Sequence, residues 1–246
     1  MNITNTFDEV IDHTHAKSES HERRANWIVI LGHGVTGNKD RDLLIDTAET
    51  LQARGFDTLR ISFSGNGESD GAFTACTVSK EVQDLRSVVD AAAEDYDHIA
   101  YIGHSMGAAV GVLATANDAR IQLLVSLAGM VDTKKFALTE FGELEPGKDC
   151  MWDERDCPLS SEFIYDLTQE VESVSKKAKD ISVPWLLIHG TEDDVVLPDD
   201  TRSILDINLP NTTAHFIEGA DHSFNEPPYR KAATEKIGTW FVDRLS

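Results

Sequence analysis

The chain has 246 residues, a hydrophobic content of 41% and a net charge of −21, so it is long enough to bury a sizeable core. Its acidity disfavours nucleic acids and anionic membranes as partners, and its longest apolar runs are shorter than the roughly 18 residues that span a bilayer. Three cysteines with no CxxC pair, and no signal-peptide pattern at the N-terminus, predict a cytoplasmic protein without a disulfide framework or a zinc site.

The N-terminal segment, residues 1–25, is polar and is predicted to form a hairpin at a sheet edge. After it, short apolar runs alternate with stretches in which apolar residues recur at helical spacing. The predicted strands are residues 26–34, 56–63, 98–103, 121–129, 183–189 and 213–218. The predicted helices are residues 39–55, 78–89, 105–117, 199–207 and 226–245. This alternation predicts an α/β fold with a doubly wound, mostly parallel sheet.

One segment, residues 131–182, interrupts the alternation between two strands. It is acidic, and it is too long to be a structureless loop inside a compact domain. We expect a helical cap over the carboxyl edge of the sheet, inserted into a core of residues 1–130 and 183–246. Its aromatic residues are candidates to line an acyl or aryl pocket, although packing inside the cap explains them equally well. These residues are Phe136, Phe141, Trp152, Phe163 and Tyr165.

The stretch GHSMG follows a predicted strand and opens a predicted helix rich in small residues. In a Gly-x-Ser-x-Gly turn of this kind, the backbone bends sharply and exposes the serine hydroxyl above the sheet. Gly103 and Gly107 allow the neighbouring backbones to approach, and Ser105 is the candidate nucleophile. The N–H of Met106, at the start of the helix, is placed to face a developing negative charge.

A serine hydroxyl needs a base, and the base needs a group that orients it. His222 follows the last predicted strand and Asp193 follows the strand before it, so both should lie at the same sheet edge as Ser105. The order Ser, Asp, His is the order that this turn predicts. Three other carboxylates remain open as alternatives to Asp193: Asp194, Asp132 and Asp221.

The loop LGHGVTGN leaves the first core strand with three glycines, and the N–H of Val35 is the candidate second oxyanion donor. A plain glycine turn is the alternative. The loop does not match the phosphate-binding GxxxxGK[ST] pattern, and no histidine shows metal-ligand spacing. The sequence therefore predicts neither a cofactor nor a metal.

Together, HGVTGN, GHSMG, HGTEDDVV and GADHSF resemble the motifs of the α/β-hydrolase superfamily, from about Trp27 to the end of the chain. The resemblance is greatest to small capped esterases, including cinnamoyl and feruloyl esterases, and to serine aminopeptidase-like hydrolases. It implies an oxyanion loop, a nucleophile, an acid at Asp193 and a base at His222. The stretch SFSGNGES departs from relatives by having Ser62 where Asp is common and Asn66 where His is common.

The resemblance implies hydrolysis of small-molecule carboxylic esters through an acyl-enzyme. Two alternatives remain: a peptidase or acyltransferase that uses the same triad, and a ligand-binding sensor that retains the pocket. If the acidic stretch of the cap borders the entrance, it should disfavour strongly anionic substrates. No oligomeric state is predicted.

Overall fold

The computed structural model describes residues 1–20, 24 and 26–245, and it is built around a seven-stranded sheet. Six strands are parallel and run in the order β3-β2-β4-β5-β6-β7, while β1 pairs antiparallel with β3 at one edge. The strands are β1 (His13–Ala16), β2 (Trp27–Gly32), β3 (Asp57–Ile61), β4 (His98–His104), β5 (Ile121–Leu127), β6 (Trp185–Gly190) and β7 (Thr212–Ile217).

Helices cover both faces of this sheet, which explains why its strands read as continuous apolar runs. In β2, Ile28 and Ile30 face a core shared with α2 and α3, whereas Val29 and Leu31 face a core shared with α1 and α8. The predicted α/β fold is therefore confirmed. The helices are α1 (Asp42–Gln52), α2 (Val78–Ala92), α3 (Met106–Thr115), α4 (Thr133–Phe141), α5 (Ser161–Tyr165), α6 (Ser175–Ala178), α7 (Asp199–Leu205) and α8 (Pro227–Arg244).

The N-terminal segment differs from the predicted hairpin. It adds one strand, β1, whose partner is β3, with His13 opposite Ile61. Upstream of β1, Thr4 and Val10 form a single isolated bridge. Residues 21–23 and 25 of the predicted hairpin segment lie outside the described residues.

The insertion, residues 131–182, contains α4, α5 and α6, with a π-helical segment between α5 and α6. Three of its aromatic side chains pack against one another in its interior. The ring of Phe141 lies 5.7 Å from that of Phe136 and 6.1 Å from that of Phe163, and all three side chains are buried. Trp152 packs edge-on against Phe141 at 5.0 Å while remaining 40% exposed.

None of the helices among the described residues is both long enough and apolar enough to cross a bilayer.

One residue of α2, Glu81, carries a buried carboxyl group that is 1% exposed and has no hydrogen-bond partner among the described residues. Burial raises the pKa of Glu81 well above its usual value, and the neighbouring Asp84 and Asp166 raise it further. The native state therefore holds a proton that the unfolded chain releases above pH of about 4.3. The contribution of Glu81 to the free energy of unfolding is fully present below that pH. It is lost as the pH rises toward the pKa that Glu81 has in the folded protein.

We therefore expect Glu81→Gln to gain stability over the wild type as the pH rises from 5 to 8. The difference in the free energy of unfolding between Glu81→Gln and the wild type should grow by at most about 1.4 kcal/mol per pH unit, because one proton is involved. Urea unfolding at several pH values measures it, with the exposed Glu143→Gln as control. If the free energy of unfolding depended on pH in the same way in the wild type and in Glu81→Gln, the raised pKa of Glu81 would be contradicted.

Candidate active site

Ser105 lies at the turn from β4 into α3, with φ 54° and ψ −118°. This backbone conformation is rare for a residue with a side chain, and it persists only where the surrounding structure enforces it. A Cβ at Gly103 would lie 2.2 Å from the carbonyl oxygen of Gly107, and one at Gly107 would lie 2.4 Å from that of His33. The glycines on either side therefore allow the tight packing that fixes the serine in this conformation.

His222 and Asp193 lie beside Ser105 and form a continuous hydrogen-bonded row with it. His222 Nε2 is 3.0 Å from Ser105 Oγ, and His222 Nδ1 is 2.8 Å from Asp193 Oδ2. Asp193 comes from the loop after β6 and His222 from the loop after β7, so all three side chains meet at the carboxyl edge of the sheet. In this arrangement a histidine can accept the serine proton while the carboxylate fixes its tautomer.

The carboxylate of Asp193 is buried and receives several hydrogen bonds. Burial alone would raise its pKa, but hydrogen bonds from His189 and His222 outweigh burial and lower the pKa below its usual value. The N–H groups of Val195 and Val196 donate to Oδ1 at 3.0 and 2.9 Å. Asp193 therefore carries a negative charge at neutral pH, as a group that stabilises an imidazolium must.

The three alternative carboxylates have other positions. Asp194 is exposed, Asp132 accepts from the N–H of Lys135 at the start of α4, and Asp221 accepts from the N–H of Asn225. The contact with His222 described above is made by Asp193.

The loop after β2 approaches the serine closely, since a Cβ at Gly34 would lie 2.8 Å from the Cβ of Ser105. Val35 follows Gly34, and Met106 is the first residue of α3. Within the described residues, the N–H groups of Val35 and Met106 donate to no protein acceptor. Two free donors near the serine hydroxyl are what an oxyanion site requires.

His104, which precedes Ser105, contacts His222. Its Nε2 lies 3.0 Å from the carbonyl oxygen of His222, and the two rings are 4.9 Å apart. Burial, together with the nearby His222, lowers the pKa of His104 to about 3, so the ring is neutral and donates this hydrogen bond. The sequence placed His104 beside the nucleophile but gave no signal for this contact.

We expect His104→Phe to lower kcat by about ten-fold, because the carbonyl of His222 loses its donor and the ring of His222 becomes less well positioned against Ser105. The shape of the pH–rate profile should not change, since His104 does not titrate near neutral pH. Stopped-flow assays from pH 5 to 9 measure both. A variant with full activity, or one with a displaced pH profile, would contradict this role.

A cavity of about 490 Å³ opens beside the row. Ser105, His222 and Val35 line it, together with Trp152 from the insertion. Of the five aromatic candidates for the pocket, only Trp152 is part of this lining. The core of the insertion instead contains Phe136, Phe141 and Phe163, which pack on one another. The side chain of Tyr165 is 57% exposed.

Comparison with known proteins shows the same architecture. The chain is 22% identical to Est1E from Butyrivibrio proteoclasticus in its structure with bound ferulic acid, with a TM-score of 0.87 over 100% of this chain and 99% of that one. It is 18% identical to mouse alpha/beta hydrolase domain-containing protein 10, with a TM-score of 0.81 over 100% and 99%. At these identities the likeness concerns the fold.

Among curated sequences, the chain is 27% identical over 184 residues to bovine mitochondrial palmitoyl-protein thioesterase ABHD10, covering 68% of this chain and 57% of the relative. It is 30% identical over 122 residues to an uncharacterized 31.7 kDa Escherichia coli protein, covering 48% and 42%. The chain thus spans about half the length of the curated relatives it matches.

The family model described as "Serine aminopeptidase, S33" matches residues 23–146 and 155–228, which is most of the chain and includes the loops that carry Ser105, Asp193 and His222. The chain therefore belongs to this serine hydrolase family of the α/β-hydrolase fold.

Proposed function

We propose that the protein is a serine esterase that cleaves carboxylic esters of small acyl or aryl acids. The observation that carries the proposal is the row Ser105 Oγ–His222–Asp193, with spacings of 3.0 and 2.8 Å beside an open cavity. These distances are within the range for a nucleophile, its base and the group that orients the base.

In the proposed reaction, Ser105 Oγ attacks the ester carbonyl as His222 Nε2 takes its proton. The N–H groups of Val35 and Met106 donate to the oxyanion. His222 then gives the proton to the departing alcohol, and an acyl-enzyme on Ser105 remains. Water, deprotonated by His222, attacks the acyl carbonyl and releases the acid, and the proton returns to Ser105.

The insertion, residues 131–182, is proposed to act as the cap of this site. Trp152 supports this role, because it belongs to the insertion and lines the cavity beside Ser105. Its backbone has φ 48° and ψ 35°, and its indole N–H donates to Glu140 at 2.9 Å. This contact holds an aromatic face at the cavity, where an acyl chain or an aryl ring would pack.

The three cysteines are free, and two of them are buried, which supports the proposed location in a reducing compartment such as the cytoplasm.

Thioester cleavage is a second candidate reaction, because the bovine relative is named as a palmitoyl-protein thioesterase. The same attack applies to a thioester carbonyl, with a thiol as the leaving group.

The test is turnover by the purified chain on p-nitrophenyl acetate, butyrate and octanoate and on methyl ferulate, with Ser105→Ala as background. Butyryl thiocholine and leucine p-nitroanilide report thioesterase and aminopeptidase activity. Multiple turnovers on the esters support the proposal, and the chain-length profile measures the acyl pocket. Folded protein that turns over only the anilide, or binds esters without turnover, would contradict it.

A further inference from the structure

The cavity beside Ser105 has a cation in its lining, Arg41, at the N-terminus of α1. One guanidinium nitrogen, Nη2, donates to the carbonyl of Thr36 at 3.1 Å. Across the described residues, Arg41 has no carboxylate within salt-bridge distance. Most of its five N–H donors therefore remain free for a molecule in the cavity.

The neighbouring carboxylate in the lining, Asp40, is committed to other cations. It accepts from Lys39 Nζ at 2.7 Å and from Arg60 Nη1 at 2.9 Å. Hydrogen bonds from Lys39 and Arg60 outweigh the effect of burial and lower the pKa of Asp40. Asp40 thus does not neutralise Arg41.

The second cation of the lining, Arg230, is already paired. Its Nε donates to Asp46 at 2.6 Å, its Nη1 donates to the carbonyl of Asn225 at 2.8 Å, and its Nη2 lies 3.7 Å from Asp42. Asp42, the remaining carboxylate of the lining, therefore faces a cation as well. Among the charged side chains described in this lining, Arg41 is the one that has no oppositely charged partner.

The charge of Arg41 acts at the reacting end of the cavity. Burial is the main cause of the lowered pKa of His33 and of His104, and the positive charge of Arg41 lowers both further. Arg41 and Ser105 line the same cavity, so an anion bound at Arg41 would lie in the cavity that receives the scissile ester. Among the described residues that line the cavity, Trp152 is the one that belongs to the insertion. The insertion therefore brings no acidic side chain to this lining.

We propose that Arg41 is a specificity-determining residue that binds a carboxylate carried by the substrate, so that the preferred substrates are monoanionic esters. The proposal rests on the esterase function proposed above. A guanidinium pairs with a carboxylate through two parallel hydrogen bonds, which fixes orientation as well as charge. The start of α1, which has no side-chain cap at Arg41, adds to the attraction. In a chain of charge −21, a local cation is needed to hold an anionic substrate.

The experiment compares two pairs of esters that differ in charge. One pair, mono-4-nitrophenyl glutarate and its methyl ester, places the carboxylate on the acyl side. The other, 4-butyryloxybenzoate and its methyl ester, places it on the alcohol side. For each pair, kcat/KM of the anionic ester is divided by kcat/KM of the neutral ester, after subtraction of the rate without enzyme. This ratio is measured for the wild type, Arg41→Gln, Arg41→Lys and the exposed Arg86→Gln. Comparison of the ratios between variants cancels intrinsic reactivity.

We expect Arg41→Gln to lower this ratio by about three- to ten-fold for at least one pair while the neutral esters keep their kcat/KM. Arg41→Lys should retain part of the preference, and Arg86→Gln should retain all of it. Raising the salt concentration should weaken the preference in the wild type and not in Arg41→Gln.

Three results would overturn the inference. One is an unchanged ratio in Arg41→Gln for both pairs. Another is an equal loss on neutral and anionic esters, which indicates a structural role. In both cases hydrolysis of the neutral esters leaves the proposed esterase standing. The third, no turnover of any ester above the Ser105→Ala background, would instead remove the proposed function itself.

Discussion

Replacing Ser105 by alanine should lower kcat/KM for ester hydrolysis by on the order of 10⁴- to 10⁶-fold, and His222→Gln should lower it by about the same factor. In the proposed reaction, both variants prevent the same event, the transfer of the serine proton to His222 Nε2 across 3.0 Å. The proposed oxyanion donors and the binding contacts survive in each, so a residual rate above the uncatalysed one should persist.

The double variant Ser105→Ala/His222→Gln is the sharper measurement, because residues that act as one unit do not lose activity additively. Its kcat/KM should equal that of either single variant. Ser87→Ala, on α2, removes a hydroxyl that donates to the carbonyl of Gln83 and should retain wild-type activity. Multiplicative losses in the double variant, or losses below ten-fold in the singles, would show that the two side chains act separately.

Gly103→Ala is expected to have the largest effect on stability, lowering the free energy of unfolding by about 3 kcal/mol or more. Its Cβ would lie 2.2 Å from the carbonyl oxygen of Gly107 and 2.5 Å from the nitrogen of Ala108, both backbone atoms of α3. No rotamer change relieves such a contact, so α3 must move away from β4. For a chain of this size, Tm should fall by roughly 6–12 °C.

The matched control is Gly147→Ala, because a Cβ at Gly147 meets nothing within 4 Å. Its φ of 85° means that alanine there still costs about 1–2 kcal/mol of backbone strain, without a clash. Differential scanning calorimetry compares the two variants with the wild type. If Gly103→Ala were no less stable than Gly147→Ala, the close approach of α3 to β4 would be disproved.

The doubly wound core could be read from the sequence because its signals are local. Buried parallel strands are apolar throughout, and helices such as α2 place Val78, Leu85 and Val89 on one face. The edge strand β1 carried no such signal. All four of its residues are half-buried, and its position depends on pairing with β3.

The insertion shows where sequence reasoning fails. Aromatic spacing cannot distinguish a side chain that faces a ligand from one that faces its own core. Phe136, Phe141 and Phe163 are buried among one another, whereas Trp152 reaches the cavity through a left-handed backbone conformation that no propensity predicts. The short helices and the π-helical segment here depend on tertiary packing.

The row of Ser105, Asp193 and His222 was accessible from the sequence because each residue follows a strand, and parallel strands deliver their carboxyl ends to one edge. Its supporting contacts were not. His189 Nε2 lies 2.8 Å from the carbonyl oxygen of Val196 and 3.1 Å from Asp193, and both contacts depend on the path of the loop after β6. Arg41 was missed because a cation at a helix start gives no sign of what it faces.

The most direct test of Ser105 as the nucleophile is covalent labelling with a fluorophosphonate, followed by intact mass measurement and peptide mapping. We expect one adduct per chain, on Ser105, that is absent in Ser105→Ala and forms more slowly in His222→Gln. Folded protein that forms no adduct, or forms it on another residue, would contradict the assignment of Ser105 as the nucleophile.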